Sequence, residues 1–308
     1  MRQPKIVNPG KVRNRLHHVI GAVILTANKI RHAVGGYRTP RPFAPSQIAR
    51  AVRYDFSVVD GWLDCLRQYV GERFSLAGKR VLELGPGADL GAGVILLAMG
   101  SDKYSAVDAH NLADAATDEF YDLLFLELAA REDLDIDIDA LRDELLLTQD
   151  GAGERLCYQC NRDFDLSVIE DDSIDLIVSQ AAFEHFDDVP RTIEQMSKLA
   201  SPGAVLVCEI DLATHTRWIR DRDPLNIYRF SDAYYNLMKF RGSPNRIRPV
   251  EYKQMLTAAG WGDIEQFPLT VLDADYLARV QPSLAGRFRD QTAEMECLSV
   301  AVCARKNT

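Results

Sequence analysis

Hydrophobic positions alternate between two patterns from about residue 80 to the end of the chain. Short apolar runs, typical of buried strands, are separated by longer segments whose apolar residues recur at helical spacing. The runs predict seven strands, at 81–84, 104–108, 156–160, 174–179, 204–210, 263–271 and 296–305. Seven strands with interleaved helices predict a doubly wound α/β domain.

The first predicted strand, Val81 to Leu84, leads directly into a glycine-rich turn. Gly85 and Gly87 let the backbone turn sharply and approach a ligand, and the helix predicted after them covers Leu90 to Met99. A helix start after such a turn favours the polar end of a nucleotide-like cofactor. A dinucleotide fingerprint would need a third glycine where this chain has Leu90, so a nicotinamide cofactor is disfavoured.

The segment before this domain predicts an amphipathic helix over residues 12–34. Its apolar residues form one stripe, and Arg13, Arg15, Lys29 and Arg31 lie largely off it; the stripe comprises Val12, Leu16, Val19, Ile20, Val23, Ala27, Ile30 and Val34. Its longest apolar run, Val19 to Leu25, is shorter than the ~20 residues that cross a bilayer. Three readings stay open: a helix packed on the following domain, a membrane-surface helix over residues 11–34, and a removable targeting peptide.

Composition divides the chain at about residue 54. Residues 1–54, with a proline-rich linker at Thr39 to Pro45, contain eleven Lys or Arg and no acid, whereas the remainder has 25 basic and 45 acidic residues. We therefore expect a basic arm and linker over 1–54 and one domain over 55–308, with an acidic helical insertion at 114–150. The arm could meet an anionic surface, and the acidic domain disfavours nucleic acid as a partner.

The six cysteines form no disulfide framework, and several lie inside apolar runs. This use of cysteine is typical of a reducing, cytoplasmic location, with contact at the inner membrane face if the arm binds lipid. Cys157 and Cys160 form a CxxC pair, but no second pair completes a metal site.

The phrase Val81-Leu-Glu-Leu-Gly-Pro-Gly87 resembles motif I of the class I S-adenosylmethionine-dependent methyltransferases, and the resemblance runs from about 79 to 305. It implies a Rossmann-like fold and S-adenosylmethionine as cofactor. The implied cofactor contacts are Glu83, Gly85 and Gly87 at the turn, Asp108 on the ribose, Asp163 with Phe164 at the adenine, and Ser179 and Gln180 after the fourth strand.

A narrower resemblance links the chain to a bacterial methyltransferase group associated with polysaccharide or glycolipid pathways. It rests on Asp211-Leu-Ala-Thr-His215, Arg229-Phe-Ser-Asp and Asn245-Arg-Ile-Arg248-Pro-Val-Glu-Tyr. The segment 212–250 would then be a lid on the acceptor side, rich in aromatic and arginine side chains that suit a glycan. The expected acceptor contacts are Tyr228, Arg229, Asn245, Arg246 and Arg248, although a structural lid with solvated arginines is an equal alternative.

Two histidines follow strands whose ends should border the methyl group. His185 comes after the fourth strand and His215 lies four residues after Asp211, so either could take the proton of a hydroxyl acceptor, with Glu184 or Asp211 as its supporting carboxylate. Asp211, His215 and Glu184 could instead hold a divalent metal, but no ligand spacing demands one, and we expect none.

These observations together predict an S-adenosylmethionine-dependent O-methyltransferase that acts on a hydroxyl of a sugar or lipid-linked glycan. Two alternatives remain at this stage. One is a methyltransferase for a small secondary metabolite, and the other is a protein that binds the cofactor without turnover.

Overall fold

The computed structural model describes residues 3–35, 44–131, 134, 136–169 and 173–307. Within them, eight strands form one sheet in the order β1-β7-β8-β6-β5-β2-β3-β4. The strands are β1 Lys5–Val7, β2 Arg80–Leu84, β3 Lys103–Asp108, β4 Leu156–Cys160, β5 Ile174–Gln180, β6 Ala200–Asp211, β7 Trp261–Leu272 and β8 Cys297–Lys306.

Ten helices are found in the same described part of the chain. They are α1 Asn14–Gly35, α2 Ile48–Val70, α3 Gly91–Ala98, α4 Asp118–Ala129, α5 Ile138–Gln149, α6 Val189–Leu199, α7 Arg217–Arg220, α8 Asp232–Met238, α9 Pro249–Ala258 and α10 Ala274–Val280. None of the described helices is long and apolar enough to cross a membrane.

The sheet confirms the doubly wound architecture. Strands β4, β3, β2, β5 and β6 are parallel, and β8 runs antiparallel between β6 and β7. The chain passes from β2 outward to β4 and then returns to β5 on the other side of β2. The carboxyl ends of β2 and β5 therefore flank the point where strand order reverses, which is where ligands bind in open α/β sheets.

All seven predicted strands are present, and β1 is an addition. This three-residue strand pairs in parallel with β7 at the sheet edge, and the Asp273 N–H donates to the Val7 carbonyl just beyond it. The segment Lys5-Ile6-Val7 is too short to show a strand pattern in the sequence. It is a strand because its main chain pairs with β7.

Each face of the sheet has its own apolar core. Helices α2 to α5 bury their leucine and aromatic side chains on one face, and α6 and α9 cover the other. Close packing is visible at Gly93 of α3, because any side chain there would collide with the ring of Tyr104 on β3. These layers hold the carboxyl ends of the strands at one edge.

The basic segment is part of this fold, and its predicted boundary is wrong. Helix α2 runs without interruption through the division drawn at residue 54. Helix α1 packs on the domain through His17, Gly21 and Ile24, so the predicted apolar stripe faces largely outward. The proline-rich linker lies mostly outside the described residues.

Both other predicted sub-regions contain helices. The acidic insertion at 114–150 forms α4 and α5 between β3 and β4, as expected. The segment 212–250 contains α7 and α8 and connects β6 to α9. It brings Gly242 and Asn245 against the turn that follows β5.

Candidate active site

The glycine turn after β2 has the backbone geometry that its residues permit. Gly85 and Gly87 have φ values of 77° and 84°, in the region that favours glycine. The Gly85 N–H donates to the Val107 carbonyl, and a Cβ built on Gly85 would lie 2.6 Å from the Cβ of Ala182. The turn is therefore fixed against the ends of β3 and β5, with no room for a side chain.

Asp108 closes β3 beside this turn. Its Oδ2 accepts a hydrogen bond from the Gly87 N–H at 3.2 Å, and its Oδ1 accepts one from the His110 N–H at 3.1 Å. Burial raises the pKa of Asp108, although these N–H groups oppose the rise. The carboxylate is thus held at the strand end where the ribose was expected.

Three buried carboxyl groups surround the turn. Glu83 accepts a hydrogen bond from the Tyr104 hydroxyl at 2.5 Å, and burial raises its pKa to about 8. Burial also raises the pKa values of Asp55 and Asp89, and for Asp55 the neighbouring Asp89 charge adds to the effect. Asp55 Oδ2 is buried without a hydrogen-bond partner among the described residues. Such a cluster favours a cationic ligand, because a positive charge would stabilise the ionised carboxylates.

Asp89 was missed in the sequence, and no local signal marks it. It lies inside the glycine phrase, but its partner Asp55 is on α2, 34 residues earlier. The two side chains meet only because α2 and α3 pack together on the same face of the sheet. Contact between distant helices of this kind has no periodic signature in the sequence.

His185 lies on a short 3₁₀ turn after β5, Phe183–His185. Asn245 holds this turn: its N–H donates to the Glu184 carbonyl at 2.7 Å, and its side-chain amide donates to the Phe183 carbonyl at 2.7 Å. His185 Nδ1 lies 2.7 Å from the Gly242 carbonyl, which can only accept, so Nδ1 carries the proton. Nε2 is then the unprotonated nitrogen, and no described residue hydrogen-bonds to it.

His215 is placed beside it from β6. Its Nδ1 donates to the Ala213 carbonyl at 2.9 Å, and its Nε2 lies 3.6 Å from Glu184 Oε1 and 3.9 Å from Asp211 Oδ2. The His185 and His215 rings meet edge to face, with centroids 4.7 Å apart. The two predicted candidates for the base therefore form one cluster.

The surroundings drive the two pKa values in opposite directions. Burial lowers the pKa of His185, and the neighbouring His215 lowers it further, against the attraction of Glu184. Burial would also lower the pKa of His215, but Glu184 and Asp211 outweigh it and raise that pKa above its usual value. Of the two imidazoles, His185 is therefore the one whose neutral form is favoured, and His215 is the one whose protonated form is favoured.

The two carboxylates near His215, Glu184 and Asp211, differ in their hydrogen bonds. Glu184 is 2% exposed, and neither carboxylate oxygen has a hydrogen-bond partner among the described residues. Asp211 accepts from the Ala213 N–H at 3.0 Å and from Arg220 Nη1 at 2.7 Å. Asp211 is therefore a positioning residue that fixes the turn carrying His215, and Glu184 is the carboxylate directed at the imidazole.

The cluster also has the donor set of a metal site. Glu184, His185 and His215 each offer a ligand atom within 4.8 Å of the others. The metal ligands considered from the sequence were Asp211, His215 and Glu184, so the structure has His185 in place of Asp211. Two imidazoles and a carboxylate suit zinc and similar divalent ions, and the two Nδ1–carbonyl bonds would orient the rings. The expectation of no metal stays a prediction.

Four of the five expected acceptor residues are buried inside the fold, so that prediction is wrong for them. Arg229 pairs with Asp223 through Nε–Oδ2 at 2.7 Å and Nη2–Oδ1 at 3.0 Å. Arg248 donates to the carbonyls of residues 293, 294 and 297, and also to the Tyr228 hydroxyl, which itself donates to the Leu212 carbonyl. Their donors are already satisfied within the fold.

Arg246 is also an internal residue, and Asn245 has a different role. The Arg246 guanidinium is 3.9 Å from the ring centre of Tyr235 and donates to the carbonyls of Ile227 and Phe230. Asn245 supports the His185 turn and so acts through that histidine. The arginines of this segment anchor loops by binding their carbonyls.

The remaining expected cofactor residues differ in accessibility. Ser179 is fully buried and donates its hydroxyl to the Leu84 carbonyl at 2.7 Å, so it joins β5 to β2 and has no proton left for a ligand. Gln180 follows at the strand end, where its side chain bonds Glu209. Asp163 is exposed and pairs with Arg241 at 2.9 Å.

Phe164 lies next to Asp163, with a φ of 49° and its ring centroid 4.3 Å from that of Phe186. Burial and then Arg241 and Arg162 lower the pKa of His110, which places this loop near the end of β3. The adenine contacts of Asp163 and Phe164 stay a prediction, and Arg241 is a neighbour of Asp163 that sequence reasoning did not identify.

A family model described as a methyltransferase domain matches residues 63–266, about two thirds of the chain. No curated protein matches the sequence.

Similar solved structures include an S-adenosylmethionine-dependent methyltransferase from Mesorhizobium loti, at 17% identity and a TM-score of 0.42, over 80% of this chain and 100% of that one. Another is phosphoethanolamine N-methyltransferase 2 from Haemonchus contortus, solved with phosphomonomethylethanolamine and S-adenosylhomocysteine. It has 13% identity and a TM-score of 0.43, over 97% of this chain and 61% of that one. Both TM-scores are below 0.5, so membership of the family rests on the match to the methyltransferase family model over residues 63–266.

Proposed function

The chain belongs to the methyltransferase family, with S-adenosylmethionine as its cofactor, and we propose that it methylates a hydroxyl group of a sugar or lipid-linked glycan. The observation that carries the choice of a hydroxyl is His185. Its Nδ1 donates to the Gly242 carbonyl, its Nε2 is unprotonated, and its pKa is lowered. A hydroxyl acceptor needs such a base, because it must lose a proton to become methylated.

The residues on the donor side fit the cofactor. The Gly85–Gly87 turn leaves space for the backbone to approach it, and Asp108 offers carboxylate oxygens for the ribose. Burial raises the pKa values of Glu83, Asp55 and Asp89, and a bound cation would favour their ionised forms. Asp55 Oδ2 has no hydrogen-bond partner among the described residues. S-adenosylmethionine supplies an electrophilic methyl group attached to a cationic sulfur, and this carboxyl cluster suits its positive charge.

The base step uses His185 and its supports. The proton of the acceptor hydroxyl moves to His185 Nε2, while Nδ1–H stays bound to the Gly242 carbonyl. Burial and the neighbouring His215, whose protonated form Glu184 favours, lower the pKa of His185 and so favour its neutral form. Glu184, His215 and Asp211 are positioning residues in this scheme.

The sugar or glycan as acceptor rests on the narrower resemblance in the sequence. Tyr228, Arg229, Arg246 and Arg248 are buried within the fold, so they give no support to a glycan as acceptor. What remains is a histidine base at the carboxyl edge of the sheet, which suits any hydroxyl acceptor, including a small secondary metabolite.

The test is transfer of a labelled methyl group to a panel of acceptors, followed by location of the methylated atom by NMR. The panel contains nucleotide sugars, lipid-linked saccharides and small phenols. Methylation of a sugar hydroxyl would support the proposal, and methylation of the phenols alone would favour the small-metabolite alternative. Binding of S-adenosylhomocysteine with no transfer to any acceptor would favour a protein without turnover.

A second experiment, with a chelator, distinguishes a histidine base from a metal site at the same residues. With His185 as a metal-independent base, EDTA leaves the rate unchanged. Loss of activity in EDTA and recovery with one divalent ion would instead assign Glu184, His185 and His215 as ligands.

A further inference from the structure

Helix α1 packs on the domain through a face of mixed polar, small and apolar residues. His17, Gly21 and Ile24 are buried, and any side chain at Gly21 would collide with Asn226, whose amide donates to the His17 carbonyl at 2.9 Å. Farther along, Asn28 Nδ2 donates to Thr216 Oγ1 at 3.3 Å. This inward face fixes the rotation of the helix about its axis.

The opposite face of α1 is an exposed apolar stripe. Its large residues recur at helical spacing over about 27 Å, with exposed fractions from 46% to 85%: Leu16, Val19, Val23, Ile30 and Val34. Single exposed apolar residues are ordinary on protein surfaces, but five on one face of a helix mark a surface that contacts something apolar.

The charges around the stripe favour an anionic partner. Arg13, Arg15 and Arg31 are exposed beside it, and residues 1–54 contain no acid. A groove of about 320 Å³ continues the surface toward α7, where Trp218 is 64% exposed. Its lining combines apolar and cationic side chains, among them Leu16, Ile20, Trp218, Lys11, Arg13 and Arg222.

We propose that this docking face, the exposed stripe of α1 with the groove at Trp218, binds the surface of an anionic lipid bilayer. A basic amphipathic helix with a neighbouring tryptophan has the chemistry for that boundary, where apolar residues enter the acyl region and arginines remain at the phosphates. A symmetric contact between two copies would bring Arg13, Arg15 and Arg31 of each chain together, which disfavours a dimer through this face.

The docking face lies directly over the supports of the histidine cluster. Thr216, which bonds Asn28, is adjacent to His215, and the His32 ring stacks on Phe240 at 4.4 Å, two residues before the carbonyl that holds His185. A bilayer on the outer face of α1 would therefore lie beside the proposed acceptor edge. Lipid-linked acceptors would then reach the base from the membrane to which the enzyme is bound. This delivery of the acceptor rests on the proposed function, whereas binding of the docking face to lipid does not.

The experiment is flotation of the full chain with phosphatidylcholine vesicles, with and without one third phosphatidylglycerol. We expect binding at least about tenfold stronger to the anionic vesicles, weakening as salt is raised. The double variant Val23→Asp with Ile30→Asp should lose at least about tenfold in binding. Leu126→Asp with Leu146→Asp is the matched control, because these leucines are equally exposed on α4 and α5, and it should bind as the wild type does.

Three results would overturn the proposal. They are no binding of the intact chain to anionic vesicles, wild-type binding by the Val23/Ile30 variant, and a wild-type dimer in analytical ultracentrifugation that this variant converts to monomer. Thermal stabilisation by S-adenosylhomocysteine is measured on every variant in parallel. It tests the donor site alone, so failure of docking and failure of the proposed function remain distinguishable.

Discussion

Replacement of Glu83 by glutamine should stabilise the ligand-free protein, and the gain should grow with pH. Glu83 is 3% exposed, and burial raises its pKa from 4.5 to about 8 against the opposing hydrogen bond from Tyr104. A carboxyl group whose pKa is higher in the folded state supports folding only while it is protonated. Its contribution is present below pH 4.5 and is lost as the pH rises to about 8.

The magnitude follows from the two pKa values. The difference of about 3.5 pH units, at about 1.4 kcal/mol per unit, gives a cost of about 5 kcal/mol above pH 8 and about 3 kcal/mol at pH 7. Glutamine avoids this cost but weakens the bond from the Tyr104 hydroxyl, which is worth about 1.5–3 kcal/mol as a bond to a charged group. The variant should therefore match or fall below the wild type at pH 5 and exceed it by about 2–3 kcal/mol at pH 8.5.

Urea unfolding at pH 5, 7 and 8.5 measures this difference as the free energy of unfolding. Glu127→Gln, at an exposed position on α4, controls for loss of a charge alone and should change little at any pH. A stability difference between Glu83→Gln and the wild type that is constant or decreases with pH would show that Glu83 is ionised without cost in the folded protein. The variant should also bind S-adenosylmethionine more weakly, because it lacks a carboxylate that would attract the cationic cofactor. The gain in stability would thus be made at the cost of function.

Three further predictions concern the same edge of the sheet. Gly85→Ala should abolish stabilisation by S-adenosylhomocysteine in thermal unfolding, because its φ of 77° and the Cβ of Ala182 leave no room for a methyl group; normal binding would contradict this. Asp108→Ala should weaken cofactor affinity by ~1.5–3 kcal/mol in calorimetry, and unchanged affinity would remove the ribose assignment. His215→Ala should move the acidic limb of the pH–rate profile to higher pH, since loss of the His215 charge raises the pKa of His185. An unmoved limb would show that His215 does not affect the pKa of His185.

The strands and the ends at which chemistry occurs could be predicted because they depend on local patterns. Leu156 to Cys160 forms a strand with the predicted bounds, and His185 and His215 follow strands that do lie side by side. Parallel strands bring their carboxyl ends to one edge whatever the loops do. Sequence order was therefore enough to bring both histidines to one place.

The rest depended on contacts between distant segments. Arg246 and Arg248 were predicted to face an acceptor, yet they bind carbonyls at residues 227, 230, 293, 294 and 297 that no local pattern brings near them. The stripe on α1 was correctly located along the chain, but periodicity does not say whether a face meets a core or solvent. Here Gly21 permits the close approach to Asn226 that turns the face with His17 and Ile24 inward.

Replacement of His185 by asparagine separates methyl transfer with His185 as the base from transfer without it. Asparagine can still donate to the Gly242 carbonyl but cannot take a proton, so the turn should be kept and the base lost. With labelled S-adenosylmethionine and the acceptor found in the panel, the account predicts a fall in kcat of about 10²–10⁴-fold with unchanged affinity for S-adenosylhomocysteine. A variant that transfers methyl groups at the wild-type rate would contradict it.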